Sequence, residues 1–184
     1  MYNKEEKRSA APPKTRSAAP LETERRFLIR MPDTALLSAQ PGARRDAITQ
    51  VYLTGGEGES VRVRRREREN GQIGYTETRK RRLNDLTCEE FEREITEEEY
   101  RFLLLRADPD RRPILKTRYS IPYGERLLEI DIYPFWEKTA VLEIELPDAE
   151  AAFSVPGWLS VIREVSGEGA YRNASLARRI PSEE

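Results

Sequence analysis

Charged and apolar residues alternate with a period of two along most of this chain, and that alternation constrains its fold more than any other feature. In LETERRFLI at 21–29 it places Glu22, Glu24 and Arg26 together, with mostly apolar residues on the other side. Because side chains at i and i+2 share one face of a β-strand, the pattern predicts strands. On this basis we expect strands at 21–30, 48–54, 60–68, 73–81, 88–95, 113–121, 126–133 and 139–146.

Helical patterns are fewer than strand patterns. The segment from Thr96 begins with a capping box, in which Thr96 and Glu99 satisfy each other's backbone N–H groups. Shorter helices are expected at 32–39, 156–164 and 171–179. Eight mostly antiparallel strands with few helices predict an α+β protein whose sheet is strongly curved or closed. Eight strands can close into a barrel just wide enough to hold a small ligand.

Length and low-complexity segments indicate one domain. The 184 residues suffice for one domain with a real core and are too few to favour two. Residues 1–20 contain RSAAP twice and a Pro-Pro pair, a composition that buries little apolar surface. They therefore predict a disordered N-terminal tail, followed by the folded domain at 21–180.

Several classes of protein are excluded by what the sequence lacks. It contains no histidine, which excludes Ser-His-Asp and Cys-His catalysis and His-ligated zinc. Cys88 is the single cysteine, so the chain has neither a disulfide framework nor a Cys-rich metal site. No apolar run approaches the ~20 residues of a membrane span, and the N-terminus has no apolar signal-peptide core. We therefore expect a cytoplasmic protein with no membrane partner.

The charged faces of the expected strands are basic in some strands and acidic in others, with little neutral filler between the charges. A wet outer face of an antiparallel sheet is the simpler explanation for any single strand. If the sheet closes, these faces point inward, and buried charge is costly unless it is paired. Carboxylates at i and i+2 suit hard divalent cations, and arginine forks match phosphate oxygens. Together the two sets of charges predict a site for a metal–phosphate complex. The basic positions are Arg62, Arg64, Arg66, Lys80, Lys116 and Arg118, and the acidic ones are Glu90, Glu92, Glu94, Glu129, Asp131, Glu143 and Glu145.

A known family shares these motifs in the same order. The run ETERRF resembles the E-x-E-x-K signature that opens the CYTH domain, found in the adenylate cyclase–thiamine triphosphatase superfamily of triphosphate tunnel metalloenzymes. The resemblance covers 21–178, and the motifs are similar to those of the compact bacterial branch of the family. It continues through YLTGGEGESVRVR, TRK at 78–80, EEFEREI, LKTRY, LEIDIY, VLEIEL and FSVPGWLSVIREVSGEGAYRNASLA.

The resemblance implies a closed eight-stranded antiparallel β-barrel, which forms a tunnel with helices packed outside. It also implies Mg²⁺ or Mn²⁺ held by carboxylates, a triphosphate held by cations, and attack on the terminal phosphorus by an activated water. Carried over by motif, the metal ligands are Glu22, Glu24, Asp131, Glu143 and Glu145, with Glu90, Glu92 and Glu129 in possible support. The triphosphate binders are Arg26, Arg62, Arg64, Lys80, Lys116 and Arg118, and the catalytic residues are Glu24, Glu145 and Lys80.

Two positions depart from the family pattern. Arg26 stands where the signature usually has lysine, which exchanges a compact ammonium for a planar fork. Cys88 stands at a position that is often arginine, so one cation of the wall is missing. The segment Tyr171–Asn173 is expected either to line one end of the tunnel or to pack outside it. We expect the departures at Arg26 and Cys88 to affect substrate preference.

The favoured function is hydrolysis of inorganic tripolyphosphate, a small-molecule substrate. Within the family the alternatives are a class IV-type adenylate cyclase and a thiamine or nucleoside triphosphatase. A non-catalytic polyphosphate binder is an alternative of another class. The basic runs RVRRRERE and RKRR would suit a nucleic-acid-binding module, but the formal net charge of −1 gives that partner no support, and none is expected. The sequence is compatible with a homodimer.

Overall fold

The structure is a computed structural model that describes residues 21–55, 59–83, 87–147, 151 and 153–183. The expected tail at 1–20 lies outside the described residues. The strands are β1 (Leu21–Arg30), β2 (Arg44–Leu53), β3 (Glu59–Arg68), β4 (Ile73–Arg82), β5 (Thr87–Glu94), β6 (Ile114–Tyr123), β7 (Arg126–Ile132), β8 (Thr139–Leu146) and β9 (Val161–Glu164). The helices are α1 (Thr34–Ser38), α2 (Glu97–Leu104) and α3 (Asn173–Leu176), with a 3₁₀ turn at Gly169–Tyr171.

The nine strands form one antiparallel sheet in the order β5-β4-β3-β2-β6-β7-β8-β1-β9. All eight predicted strands are present with boundaries close to those expected. The α+β class and the antiparallel sheet are thus confirmed. The capping box of α2 is confirmed as well, since the Thr96 hydroxyl accepts from the Glu99 N–H at 3.1 Å and the Glu99 carboxylate accepts from the Thr96 N–H at 2.9 Å.

The eight strands do not close into the complete barrel that was expected, as the pairing along the edge of β1 shows. Leu21–Thr23 pair with Thr87–Glu89 of β5, which links the two ends of the eight-strand order. Further along the same edge, Phe27–Ile29 pair instead with β9. Because β9 occupies that edge, β1 and β5 share only three residue pairs and form no continuous ladder. The sheet therefore has nine strands and is not fully closed as a barrel.

The ninth strand lies where a helix was expected, so the predicted helix at 156–164 is wrong. Val161 and Ile162 are β-branched, and this segment pairs with an edge of β1 that would otherwise expose its backbone. The helix expected at 171–179 is shorter than predicted, because only Asn173–Leu176 are α-helical. No helix in the described ranges is long and apolar enough to cross a membrane.

The apolar faces of the strands pack under the helices, as expected. One buried cluster, which includes Phe27, Ile121 and Leu142, also contains Leu37 of α1. A second cluster, around Val63 on the β2–β3 face, contains Tyr100 of α2. The opposite face of the sheet, which carries the charged residues, is left to form the candidate site.

One end of the charged face is apolar and is covered by the C-terminal segment. Leu28, Tyr52 and Val141 share the parity of the charged positions on their strands, and they pack in one buried cluster with Trp136 and Leu176. The covering segment is tied down by backbone hydrogen bonds, among them Arg112 N–H to Ala177 O at 2.8 Å. This cluster closes off one side of the charged region.

Candidate functional site

A cavity of about 450 Å³ lies on the charged face of the sheet. Opposite charges line it on facing strands, with carboxylates on β1 and β8 and cations on β3 and β4. Eleven of the predicted site residues line this cavity: Glu24, Arg26, Arg62, Arg64, Lys80, Glu90, Glu92, Arg118, Glu129, Glu143 and Glu145. The period-two pattern therefore identified the correct face of most strands.

Three predicted residues do not line the cavity. Lys116 and Asp131 are completely buried, with no exposed side-chain area, and form an ion pair beside the lining residue Arg118. Glu22 belongs to β1, where it pairs with Cys88 of β5, but its side chain lies outside what the structure describes. Lys116 and Asp131 therefore act on the cavity through their neighbours.

The carboxylates of β1 and β8 are brought together by strand register. Glu24 lies opposite Glu145, and Arg26 lies opposite Glu143. Arg26 donates from Nε to Glu143 Oε1 at 2.9 Å and from Nη2 to Glu24. Burial opposes the charge of Arg26, but Glu143 and Glu24 outweigh it and raise its pKa. Burial likewise opposes the charge of Glu143, whose pKa is nevertheless held well below its usual range by Arg26 and Arg118.

Arg118 joins the carboxylates of β7 and β8. It donates to both oxygens of Asp131 at 2.6 Å, to Glu143 Oε2 at 2.6 Å, and to Glu129. Lys116 lies 2.5 Å from Asp131 through its Nζ atom. Even so, burial and the nearby Arg118 charge lower the pKa of Lys116 to about 8, since Asp131 is shared between the two cations.

The basic wall of the cavity belongs to β3 and β4. Arg64 donates from Nε to Gln50 Oε1 at 3.0 Å and from Nη1 to Glu92 Oε2 at 3.2 Å. Burial, together with the charges of Arg62 and Arg118, lowers the pKa of Arg64 to about 10. On the adjacent strand β5, Glu90 lies directly opposite Lys80 and pairs with it, and it also lies 3.7 Å from Arg62. The pKa of Arg64 is lowered mainly because this side chain is buried, and the carboxylates of Glu92 and Glu90 only partly oppose this effect.

The C-terminal segment also lines the cavity. The sequence had left undecided whether this segment lines the site or packs outside it. Arg172–Ser175 reach the cavity, whereas Tyr171 is buried in the apolar cluster beside Trp136. Asn173 Oδ1 accepts a hydrogen bond from the Tyr133 hydroxyl at 2.8 Å, and that hydroxyl lies 3.4 Å from Asp131 Oδ2. The Y-x-N motif signalled part of this contact, but nothing in the sequence pairs Tyr133 with Asn173.

Three further lining residues were not predicted: Tyr52, Glu59 and Ser60. A fourth, Arg66, was among the basic positions of the charged faces but was not assigned as a triphosphate binder. Arg66 carries a signal in the sequence, since it continues the alternation of Arg62 and Arg64. Tyr52 carries no such signal, because an apolar or aromatic residue at an inward position is typical of a hydrophobic core. Its hydroxyl accepts a hydrogen bond from Gln50 Nε2 at 2.8 Å.

The donor set suits a hard divalent cation but is not arranged as a finished metal site. Glu24, Glu143 and Glu145 offer oxygen ligands only, the chemistry that Mg²⁺ and Mn²⁺ prefer. Within the described residues, however, no group of three or more carboxylates is positioned to hold an ion. Arg26 and Arg118 already bind oxygens of Glu24 and Glu143 that a metal ion would need.

Comparison with known proteins gives matches in structure. No protein-family model matches the chain, and no curated protein is similar to it in sequence. Two crystal structures of NE1496 are similar, one described as a hypothetical protein and the other as an inorganic triphosphatase. The first is 27% identical with a TM-score of 0.55, covering 87% of this chain and 99% of that one. The second is 26% identical with a TM-score of 0.53, covering 88% and 97%.

More distant structures share the fold alone. A conserved hypothetical protein of Pyrococcus furiosus is 21% identical with a TM-score of 0.52, covering 70% of this chain and 80% of that one. The protein bh2851 of Bacillus halodurans, described as a candidate adenylate cyclase, is 14% identical with a TM-score of 0.50, covering 72% and 83%. With the shared order of motifs, these structural matches confirm the resemblance to the CYTH domain superfamily of triphosphate tunnel metalloenzymes.

Proposed function

We propose that this chain hydrolyses a short inorganic triphosphate, tripolyphosphate in the first place, with Mg²⁺ or Mn²⁺. The observation that carries the proposal is the division of one cavity into a carboxylate wall and a cationic wall. The carboxylate wall includes Glu24, Glu143 and Glu145, and the cationic wall includes Arg64 and Lys80. Inorganic triphosphatase NE1496, similar over nearly its whole length, supports the same reaction class.

The cationic wall is suited to a highly charged anion. Arg64 is largely buried, with 12% of its side chain exposed, and its pKa is lowered by burial and by the neighbouring Arg62 and Arg118 although it pairs with Glu92 at 3.2 Å. A triphosphate would supply further negative charge, since guanidinium groups bind phosphate oxygens in pairs. Arg62 and Lys80, which share the carboxylate of Glu90, would bind neighbouring phosphates.

The carboxylate wall would hold the metal ion. Glu24, Glu143 and Glu145 would be its ligands, with Glu22 as a further one, and Asp131 would support them from beneath through Arg118. When bound, such an ion neutralises phosphate charge and helps to activate a water molecule. Because Arg26 now binds Glu24 and Glu143, a phosphate that attracts Arg26 would free Glu24 and one oxygen of Glu143, whose other oxygen stays bonded to Arg118.

The proposed reaction divides into tasks that these residues can perform. Water attacks the terminal phosphorus, and its proton passes to Glu24 or Glu145. The bond between that phosphorus and its bridging oxygen breaks, so orthophosphate and pyrophosphate leave. Lys80 and Arg64 neutralise the charge that develops on the phosphates, which is the main requirement of phosphoryl transfer.

The lining of this cavity offers little surface on which a nucleotide base could stack. Tyr52 is the only aromatic side chain among the described lining residues. It is 2% exposed, its ring packs 5.0 Å from the Arg111 guanidinium, and its hydroxyl is bonded to Gln50. A base could stack on it only after these contacts broke. An inorganic triphosphate therefore fits better than ATP, either for hydrolysis or for cyclisation.

The proposal is tested by phosphate release from tripolyphosphate, ATP and thiamine triphosphate with Mg²⁺, Mn²⁺ or EDTA. We expect tripolyphosphate to be hydrolysed fastest and only with metal. Glu24→Gln should abolish metal-dependent release, and Arg64→Ala should lower kcat/KM about a hundredfold, as loss of one preorganised charge contact does. Glu98→Gln and Arg81→Ala, at exposed positions outside the cavity, are the matched controls.

The outcomes separate the alternatives. Release that survives EDTA, or that Glu24→Gln leaves intact, would contradict the assigned metal site. Cyclic AMP formation from ATP without phosphate release would favour the cyclase. Metal-free binding of tripolyphosphate with no turnover under any condition would favour a polyphosphate binder.

A further inference from the structure

The catalytic cavity continues into two more cavities on the same face of the sheet. One, of about 480 Å³, lies where β2, β3, β6 and β7 meet, and the other, of about 600 Å³, lies between β3, β4 and β5. All three cavities share Arg66, and the first also shares Glu129 with the second and Glu92 with the third. The charged space therefore extends beyond the proposed triphosphate site.

A ladder of arginines on β3 runs along this space. Arg62, Arg64, Arg66 and Arg68 occupy alternate positions and share one face of the strand. At ~3.3 Å per residue the ladder is about 20 Å long, which exceeds the length of three linked phosphates. Arg62, Arg64 and Arg66 line the first cavity, while Arg66 and Arg68 line the other two.

The far part of this ladder is exposed and carries more arginines than carboxylates that pair with them. Arg68 donates to the neutral Gln72 Oε1 at 2.8 Å, and although it lies opposite Asp46 on β2, it makes no ion pair within the described residues. Arg44, across the second cavity, likewise makes no ion pair with any described carboxylate. Asp46 lies 3.6 Å from Arg66, and Glu129 is already bound by Arg118. Among the other described lining residues of this cavity only Glu69, which is exposed, adds negative charge.

We propose that Arg44 and Arg68 form a second anion subsite, which takes the phosphates of a linear polyphosphate beyond the third. The subsite rests on the proposed function, because the first three phosphates occupy the cavity lined by Arg62 and Arg64. The substrate range then includes inorganic chains longer than tripolyphosphate. The nearby carboxylates and the exposure of Arg68 make each added contact weaker than those in the catalytic cavity.

Calorimetric titration in EDTA tests the subsite separately from catalysis. Tripolyphosphate, a longer linear polyphosphate of defined length and orthophosphate are each titrated into the full chain. We expect Arg68→Ala to raise the Kd of the longer chain about fivefold more than that of tripolyphosphate, the effect of one exposed charge-assisted contact. Arg44→Ala should act in the same direction, and Arg68→Lys should recover part of the loss. Arg81→Ala, an exposed arginine on the outer face of β4, is the control.

Each result decides between the possible occupants. Equal Kd changes for the two chains in Arg68→Ala would show that there is no second subsite. If orthophosphate alone binds in an Arg68-dependent way while the longer chain binds no more tightly than tripolyphosphate, the subsite takes free phosphate and the chain proposal is wrong. Arg68-dependent binding of the longer chain without hydrolysis of tripolyphosphate in Mg²⁺ would uphold the subsite and overturn the proposed function.

Discussion

Two arginines in one cavity show opposite electrostatic behaviour. Arg118 is bound by Asp131, Glu129 and Glu143, and these carboxylates raise its pKa against the opposing effect of burial. Arg64 is also largely enclosed, but burial and the neighbouring cations lower its pKa to about 10. One wall of the cavity is thus neutralised by the protein itself. The other is left with charge that an anionic ligand would compensate.

The difference follows from strand register. Arg118 lies between Asp131 of β7 and Asp46 of β2, so both of its cross-strand neighbours are acidic. Arg64 lies between Gln50 of β2 and Thr76 of β4, so both of its neighbours are neutral. Because cross-strand pairs are the closest contacts in a sheet, the identity of the neighbours decides which arginine is satisfied. This contrast holds for Arg118 and Arg64 in particular, because Lys80, on the same wall as Arg64, does lie opposite an acid, Glu90 of β5.

Matched alanine substitutions give the largest expected contrast between the walls. Arg118→Ala should lower the free energy of unfolding by about 3–5 kcal/mol, because it leaves buried carboxylates short of a partner. Arg64→Ala should cost less than about 1 kcal/mol, since it removes a cation that burial already disfavours. Urea unfolding of both variants, with Arg81→Ala as a surface control, measures the difference. Equal losses at Arg118 and Arg64 would show that the two walls do not differ.

The sequence predicted the sheet and most of the site because both depend on the same period. Alternation identifies which side chains share a face, so the charges of β1, β3, β4, β6, β7 and β8 were assigned to one side correctly. The boundaries of β1 and β8 agree with the expected 21–30 and 139–146. The capping box of α2 is a local signal, and it was sufficient to predict where this helix begins.

What the sequence could not supply depends on non-local contacts. The strand at Val161–Glu164 forms only because β1 offers it a free edge, which a local helical pattern does not reveal. The pairing of β1 with β9 also explains why β1 and β5 share fewer residue pairs than a closed barrel requires. Nor does the pattern show that Asp131 and Lys116 pair out of reach of the cavity, because the depth of a residue depends on what covers it.

A pH dependence of stability is the next largest effect. Burial lowers the pKa of Lys116 from 10.5 to about 8, so the charged lysine opposes folding below pH 8. Between about pH 8 and 10 the unfolded chain binds more protons than the folded one, and stability from this group rises with pH. The slope is at most ~1.4 kcal/mol per pH unit, or about 2 kcal/mol over this window.

Denaturant unfolding of Lys116→Met between pH 7.5 and 10 checks this sign. The variant should lose the rise that the unmodified chain shows. Lys138→Met, at an exposed lysine, should keep it. A rise of the same size in Lys116→Met would mean that another group is responsible and that Lys116 is satisfied by Asp131.

The smallest expected effect concerns the link between the carboxylate wall and the C-terminal segment. The hydroxyl of Tyr133, a residue 1% exposed, donates to Asn173 and lies near Asp131. Tyr133→Phe keeps the ring and removes that donor, so it should cost about 1 kcal/mol of unfolding free energy. Tyr123→Phe, at a ring 42% exposed, should cost less and serves as the control. Because Asn173 lines the cavity, Tyr133→Phe should also weaken tripolyphosphate binding slightly, whereas a change in stability alone would show that the segment only covers the end of the sheet.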